Sequence, residues 1–125
     1  MEPSVFRIFQ ERGIVIRTLS RYVKVFRAQE HMDFDILGVN KEYAIPIAVE
    51  DTVGIRVVNQ YIERLKKFKI LFPEYADRKT IGAIAGIVIH MDVDKYAYKK
   101  GLFVIAQSGN AVKILNDMAF KPKEW

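Results

Sequence analysis

Carboxylates gather around two neighbouring hydrophobic segments near the middle of the chain. Asp33 and Asp35 enter a segment that continues to Val39, and Glu50 ends a second segment that begins at Tyr43. Side chains alternate across a β-strand, so Asp33 and Asp35 are expected on one face. If the two segments pair as a hairpin, Asp35 and Glu50 can lie on the same side of it. Because Mg²⁺ prefers oxygen ligands, Asp35, Glu50 and Asp33 are candidate metal ligands, although carboxylates at strand ends are more often simply solvated.

The elements that position these carboxylates follow from hydrophobic periodicity. Two strands, at 34–39 and 43–49, flank a tight turn at Asn40-Lys41 and should form an antiparallel hairpin. Pro46 has no backbone N–H, so the second strand is expected to be irregular or at a sheet edge there. The other predicted elements are a helix at 3–12, one or two strands within 14–28, a helix at 55–72, a strand at 80–89, a helix at 93–100, and strands at 102–106 and 111–115.

The predicted order is therefore α-β-β-β-α-β-α-β-β. Strand–helix–strand units favour an α/β fold with a central mixed sheet, helices on its faces and right-handed crossovers. The chain has 125 residues and contains no internal repeat, low-complexity stretch or linker, so residues 1–125 are predicted to form a single domain.

Composition narrows the class of protein and of partner. Half of the residues are hydrophobic and 28% are charged, as in ordinary globular proteins, and the net charge of +5 favours polyanionic partners. Cysteine is absent, which excludes disulfides and thiolate metal sites and fits a cytoplasmic location. The start of the chain has no secretory pattern. The most apolar stretch, 81–89, is too short to span a bilayer, so no membrane association is expected.

Beyond the hairpin, further segments carry a resemblance to a known family. With its acidic strand, its hairpin and the long helix that follows, the chain resembles the PD-(D/E)XK nuclease superfamily, in particular small prokaryotic domains of it. The resemblance covers nearly the whole chain and implies a restriction-endonuclease-like three-layer fold. The segments that carry it are 31–50, Phe72-Pro73-Glu74-Tyr75, 82–86, 100–104 and 115–125.

The resemblance also implies a site. In this family an Asp and the Glu of a Glu-x-Lys motif bind Mg²⁺ or Mn²⁺, and the Lys helps to activate the attacking water. Alignment from the helix residues 60–65 places the family's Asp on Asp35, its Glu on Ala48 and its Lys on Glu50. Ala48 cannot bind a metal, and Glu50 carries the opposite charge to lysine. Hydrolysis is therefore expected to be impaired.

Three functions remain open at this point. The preferred one is a nuclease-like domain that binds DNA with a degenerate catalytic site. The second is an active Mg²⁺- or Mn²⁺-dependent endonuclease in which Asp35 and Glu50 hold the metal, with Arg56 or Arg64 supplying the cation. The third is a protein–protein interaction module, a homodimer for example, that uses an exposed strand edge or the aromatic C-terminal tail.

Basic residues in two regions are the candidate contacts to nucleic acid. One region is the long helix, with Arg56, Arg64 and Lys67, and the other surrounds the first strand, with Arg17 and Arg21. Tyr22 and Phe26 lie among the second group. Such rings can stack on bases, but packing against the sheet is the expected role.

Overall fold

A computed structural model of the protein describes residues 2–125, with side chains from Ser4 onwards. Its elements are α1 (Glu2–Gln10), β1 (Thr18–Arg27), β2 (Glu30–Val39), β3 (Tyr43–Val53), α2 (Ile55–Leu71), a 3-10 turn (Pro73–Tyr75), β4 (Lys79–Thr80), β5 (Ala83–Ile89), α3 (Val93–Lys99), β6 (Phe103–Ser108) and β7 (Ala111–Ile114). The predicted α/β class is confirmed. The element order differs from the predicted one because β4 and the 3-10 turn precede β5. No helix in the described part is both long and apolar enough to cross a membrane.

The strands form one open, mixed sheet of seven strands. Its order is β1-β2-β3-β5-β6-β7, and the short β4 pairs with the beginning of β3. The β1–β2, β2–β3 and β6–β7 pairs are antiparallel, whereas β3–β5 and β5–β6 are parallel. Parallel neighbours need a crossover, and α2 and α3 supply the two that connect β3 to β5 and β5 to β6.

Helices cover both faces of this sheet. On one face α1 contributes Val5, Ile8 and Phe9 to a core that we call the α1-side cluster. On the other face α2 and α3 pack onto the α2-side cluster. The two faces of β3 supply both clusters, with Ile45 and Ile47 on the α1 side and Ala44 and Ala48 on the α2 side. Both faces of β3 are therefore buried in the core.

Pro46 does not mark an edge. It lies in β3, which has β2 on one side and β4 and β5 on the other, and it is paired with Leu37 of β2. The break between β4 and β5 explains why a residue without an N–H is tolerated. The N–H of Ile81 donates to the carbonyl of Ala44, and the parallel β3–β5 pairing starts only at Ile47, opposite Ala83.

The hydroxyl of Tyr61 fills this break. It donates a hydrogen bond to the carbonyl of Pro46 and accepts one from the N–H of Ala83 at 2.9 Å. Burial raises the pKa of Tyr61 well above its ordinary value, so the hydroxyl keeps the proton that it donates. Gly82 makes room for the helix, because a Cβ at this position would lie 2.6 Å from Leu65 and 3.2 Å from the Tyr61 ring.

The β1–β2 hairpin extends beyond the rest of the sheet. β2 pairs with β1 along its whole length but with β3 only from Ile36 to Val39. Residues 23–34, which we call the arm, therefore form a two-stranded ribbon. Its turn residues Ala28 and Gln29 both have positive φ, as a two-residue hairpin turn requires. Phe34 anchors the arm to α2 through ring contacts with Tyr61, Phe68 and Phe72.

Removal of the Tyr61 hydroxyl should destabilise the fold more than removal of other tyrosine hydroxyls. Tyr61→Phe leaves the buried N–H of Ala83 and the carbonyl of Pro46 without their partner, which costs about 1–3 kcal/mol. Urea unfolding measures this difference. Tyr75→Phe is the control, since it keeps the stacked ring of a half-buried tyrosine and should change stability by less than about 0.5 kcal/mol. Equal losses in the two variants would contradict the bridging role.

Candidate functional site

Asp35 lies at a fork between β2 and β3. Their ladder ends at the Ile36–Ile47 pair, and beyond it the strands diverge. One carboxylate oxygen of Asp35 accepts the N–H of Val49 at 2.7 Å, in the place of a ladder carbonyl. Asp35 is therefore half-buried and held by β3, and its partner residue is the chain neighbour of Glu50.

The fork is also a break in the pairing of β1 with β2. Arg21 is paired with Ile36 and Val23 with Phe34, but Tyr22 and Asp35 between them are not paired, and Tyr22 has a φ of 54°. Across this break, side chains two residues apart in the same strand pack on opposite faces of the sheet instead of the same face. Ile36 before it packs in the α1-side cluster, whereas Phe34 beyond it packs in the α2-side cluster. Asp35 thus marks the point where the arm turns from the sheet onto α2.

The other predicted site residues are placed differently from Asp35. Ala48 is 1% exposed and belongs to the α2-side cluster. Glu50 is half-buried opposite Gly86 of β5. Asp33 is exposed on the arm, with a carboxylate oxygen 3.8 Å from a guanidinium nitrogen of Arg64. Among the described residues, no group of three or more histidine, aspartate or glutamate side chains is arranged to hold a metal ion, so Asp33, Asp35 and Glu50 do not form such a trio.

Two of the five predicted nucleic-acid contacts instead fasten the arm to α2. Arg64 donates to the backbone carbonyl of Asp33 at 2.8 Å and lies over the ring of Phe34, 5.1 Å from its centre. Lys67 pairs with Glu30 at 2.9 Å, and this hydrogen bond raises the pKa of Lys67.

The remaining three candidates, Arg56, Arg17 and Arg21, are exposed. Arg56 lies in the first turn of α2, and Arg17 immediately precedes β1. The guanidinium of Arg21 lies 5.2 Å from the centre of the Tyr22 ring. These three cations therefore lie on the outer surface of the protein.

A second basic surface is formed where the C-terminal tail returns to the helices. Gly101 ends α3 with a φ of 84°, and its carbonyl accepts the N–H of Lys123 at 3.0 Å. The N–H of Trp125 donates to the carbonyl of Thr80 at 2.7 Å. These bonds lay the tail beside α2 and α3 and close a cleft of about 500 Å³, which we call the lysine groove. Its lining residues are Asn59, Ile62, Glu63, Lys66, Lys99, Lys100, Lys123 and Trp125.

The lysine groove was not predicted from the sequence. Its four lysines come from three segments that are distant in the chain, and an ion pair at 2.9 Å joins Lys66 to Glu63, the acidic side chain among the described lining residues. Lys123 lies over the Trp125 ring at 4.1 Å. The available signal was the dipeptide Lys99-Lys100 before Gly101 together with Lys123 in the tail, but nothing in the spacing places these segments together.

Comparison of the chain with protein-family models, with curated proteins and with solved structures finds no match in any of the three. The function must therefore be argued from the geometry of the fork, the arm and the lysine groove.

Asp35 should contribute to stability through its bond to Val49. Asp35→Ala leaves a half-buried N–H unpaired and should lower the free energy of unfolding by about 1–3 kcal/mol. Asp35→Asn keeps an acceptor oxygen at the same place and should retain most of that stability. Chemical denaturation of the two variants beside the wild type measures the difference. An alanine variant as stable as the asparagine variant would show that the bond contributes nothing.

Proposed function

We propose that the protein is a nucleic-acid-binding domain with a restriction-endonuclease-like fold of the PD-(D/E)XK type, in which metal-dependent hydrolysis is impaired. The observation that carries the proposal is the lysine groove. Among the described side chains that line this cleft, four are lysines and one, Glu63, is acidic, and Glu63 is itself paired with Lys66. Clustered cations of this kind neutralise phosphates and release counterions when a nucleic acid binds.

The aromatic ring in the groove adds to the same argument. Trp125 packs against the α2-side cluster and is partly exposed, and Lys123 lies over its ring. An ammonium held above an indole is prepositioned at the rim of the cleft. The groove thus offers several fixed donors to phosphate oxygens, which favours a polyanion over a small neutral ligand.

The impairment of hydrolysis rests on Ala48 and Glu50. The family resemblance assigns the second metal-binding carboxylate to Ala48, whose methyl group is buried in the core. Asp35 has one oxygen committed to Val49, and the resemblance assigns the catalytic lysine to the position of Glu50. The residues present therefore do not fit the family's metal site, and no hydrolytic step is assigned to them.

The binding half of the proposal predicts a salt-dependent affinity that depends on the groove. The logarithm of the association constant for a fluorescein-labelled DNA duplex should fall linearly with the logarithm of salt concentration. Lys99→Ala with Lys100→Ala should weaken binding and reduce the magnitude of the slope by about one for each lost phosphate contact. Fluorescence anisotropy between about 50 and 200 mM salt measures both quantities.

The matched control for this pair is Lys41→Ala with Lys113→Ala. It removes the same charge from two exposed lysines outside the groove. A groove that binds phosphate predicts a loss in the first double variant only. Equal losses would assign the affinity to net charge alone, and absence of any binding would refute the proposed function.

The catalytic half predicts that restoring the family's residues restores metal dependence. The wild type should leave supercoiled plasmid intact with Mn²⁺, whereas Ala48→Glu with Glu50→Lys should nick it and lose this activity in EDTA. Because position 48 is buried, the new carboxylate should also make the melting temperature rise when Mn²⁺ is added.

Ala48→Gln with Glu50→Lys is the control, since it has the same shape but a much weaker metal ligand. A folded Ala48→Glu, Glu50→Lys variant that neither nicks DNA nor responds to Mn²⁺ would contradict this placement of the site. Nicking by the wild type that disappears in Asp35→Ala would replace impaired hydrolysis with an active endonuclease that uses Asp35 and Glu50.

A further inference from the structure

Two large aromatic side chains of β1 are turned towards solvent. Tyr22 is 72% exposed and Phe26 is 74% exposed, although β1 is paired with β2 and other β1 side chains pack inward. Val23 and Val25 supply the inner face of the arm and contact the α2-side cluster. The two rings therefore do not serve the core. Two exposed rings on one strand are a candidate interaction surface when polar and charged side chains lie beside them.

Cations accompany both rings. The guanidinium of Arg21 lies 5.2 Å from the centre of the Tyr22 ring, and the ammonium of Lys24 lies 5.5 Å from the centre of the Phe26 ring. His31 faces Phe26 across the hairpin, with 5.9 Å between ring centres. Arg27 is also exposed at the end of β1. Exposed cations at positions 21, 24 and 27 thus lie on the same strand as the two rings.

The acidic residues of the arm do not neutralise the cations of β1, because they pair with basic residues of α2. Glu30 forms an ion pair with Lys67 at 2.9 Å, and Asp33 faces Arg64 at 3.8 Å. The exposed positive charge around the two rings therefore includes that of Lys24 and Arg27. A positive charge here favours a polyanionic ligand over a neutral apolar partner or a protein surface with few acidic residues.

Tyr22 also links the arm to the candidate site. It occupies the unpaired position of β1 opposite Asp35, with a φ of 54° that is unfavourable for an aromatic residue. The backbone strain is thus located beside the fork, and strained positions cluster at functional sites. A nucleic-acid strand bound along β1 from Phe26 to Tyr22 would reach Asp35.

We infer that Tyr22 and Phe26 form a stacking platform for the unpaired bases of single-stranded nucleic acid, with Lys24 and Arg27 contacting its phosphates. This inference rests on the proposed nucleic-acid binding and adds its strandedness. Bases within a duplex are stacked on one another and present no free face, whereas every unpaired base has a face that can stack on an aromatic ring.

The test compares three fluorescein-labelled ligands by anisotropy at one salt concentration. They are a mixed-sequence single strand, the blunt duplex of the same sequence, and a strand in which abasic sites replace the central bases. The unaltered protein should bind the single strand more tightly than the duplex. It should bind the abasic strand about tenfold or more weakly than the intact strand, because the phosphates remain but the stacking is lost.

Variants of the rings locate the effect on the arm. Tyr22→Asn suits the positive φ, and Phe26→Thr suits an exposed strand. Each should weaken single-strand binding by about tenfold without changing the salt slope, since no cation is removed. Phe26→Trp should retain the affinity. Ile70→Ala is the control, because Ile70 is an apolar side chain of α2 that is 69% exposed and lies outside the arm, and its loss should leave binding unchanged.

The outcomes separate this inference from the proposed function. Preference for the duplex would overturn the stacking platform. Equal affinity of the ring variants and the unaltered protein, together with equal affinity for the abasic and intact strands, would also overturn it. Either outcome would leave the lysine groove as the binding surface. Absence of binding to every ligand overturns both, and leaves the exposed rings as a contact for a protein partner. Single-strand preference lost in both ring variants supports the inference.

Discussion

The fold depends on one hydroxyl group at the centre of its sheet. β3 has to pair with β2 along one edge and with β4 and then β5 along the other, and the second edge is interrupted at Pro46. Two backbone groups at that interruption, the carbonyl of Pro46 and the N–H of Ala83, would be buried without partners. The hydroxyl of Tyr61 pairs with both. Since Tyr61 belongs to α2, the same contact fixes the helix on the sheet, and the arm packs on this helix in turn.

The end of the β2–β3 ladder is the place where the arm leaves the rest of the sheet. At the fork, β2 leaves β3 and continues with β1 onto α2, and the arm is fastened there by Phe34 and by the pairs of Arg64 and Lys67. Other residues of α2, among them Asn59 and Lys66, line the lysine groove together with α3 and the tail. Both surfaces are therefore built around α2: one carries exposed rings and the other carries ammonium groups.

Local sequence patterns predicted the elements better than their contacts. The periodicity of 55–72 and Pro73 placed α2 almost correctly, and Asn40, whose side-chain oxygen accepts the N–H groups of Glu42 and Tyr43, marked the β2–β3 turn. Asp35 was singled out, but its bond to Val49 depends on where two strands part, which no spacing encodes. The contacts of Arg64 and Lys67 with the arm were not predicted, because the packing of the arm on α2 joins residues that are distant in the chain. Tyr22 and Phe26 were expected to pack inward for the same reason.

The bond between Asp35 and Val49 gives Asp35 a structural role that is distinct from metal binding. A sequence motif alone cannot distinguish these two roles. An acidic residue at this fork closes the backbone where a hairpin leaves its sheet, whether or not a metal ion ever arrives. The presence of this acidic residue therefore indicates, first of all, where the two strands diverge. A search of the sequence for metal ligands selects the same carboxylate, so the backbone geometry of the fork explains this aspartate before any chemistry is assigned to it.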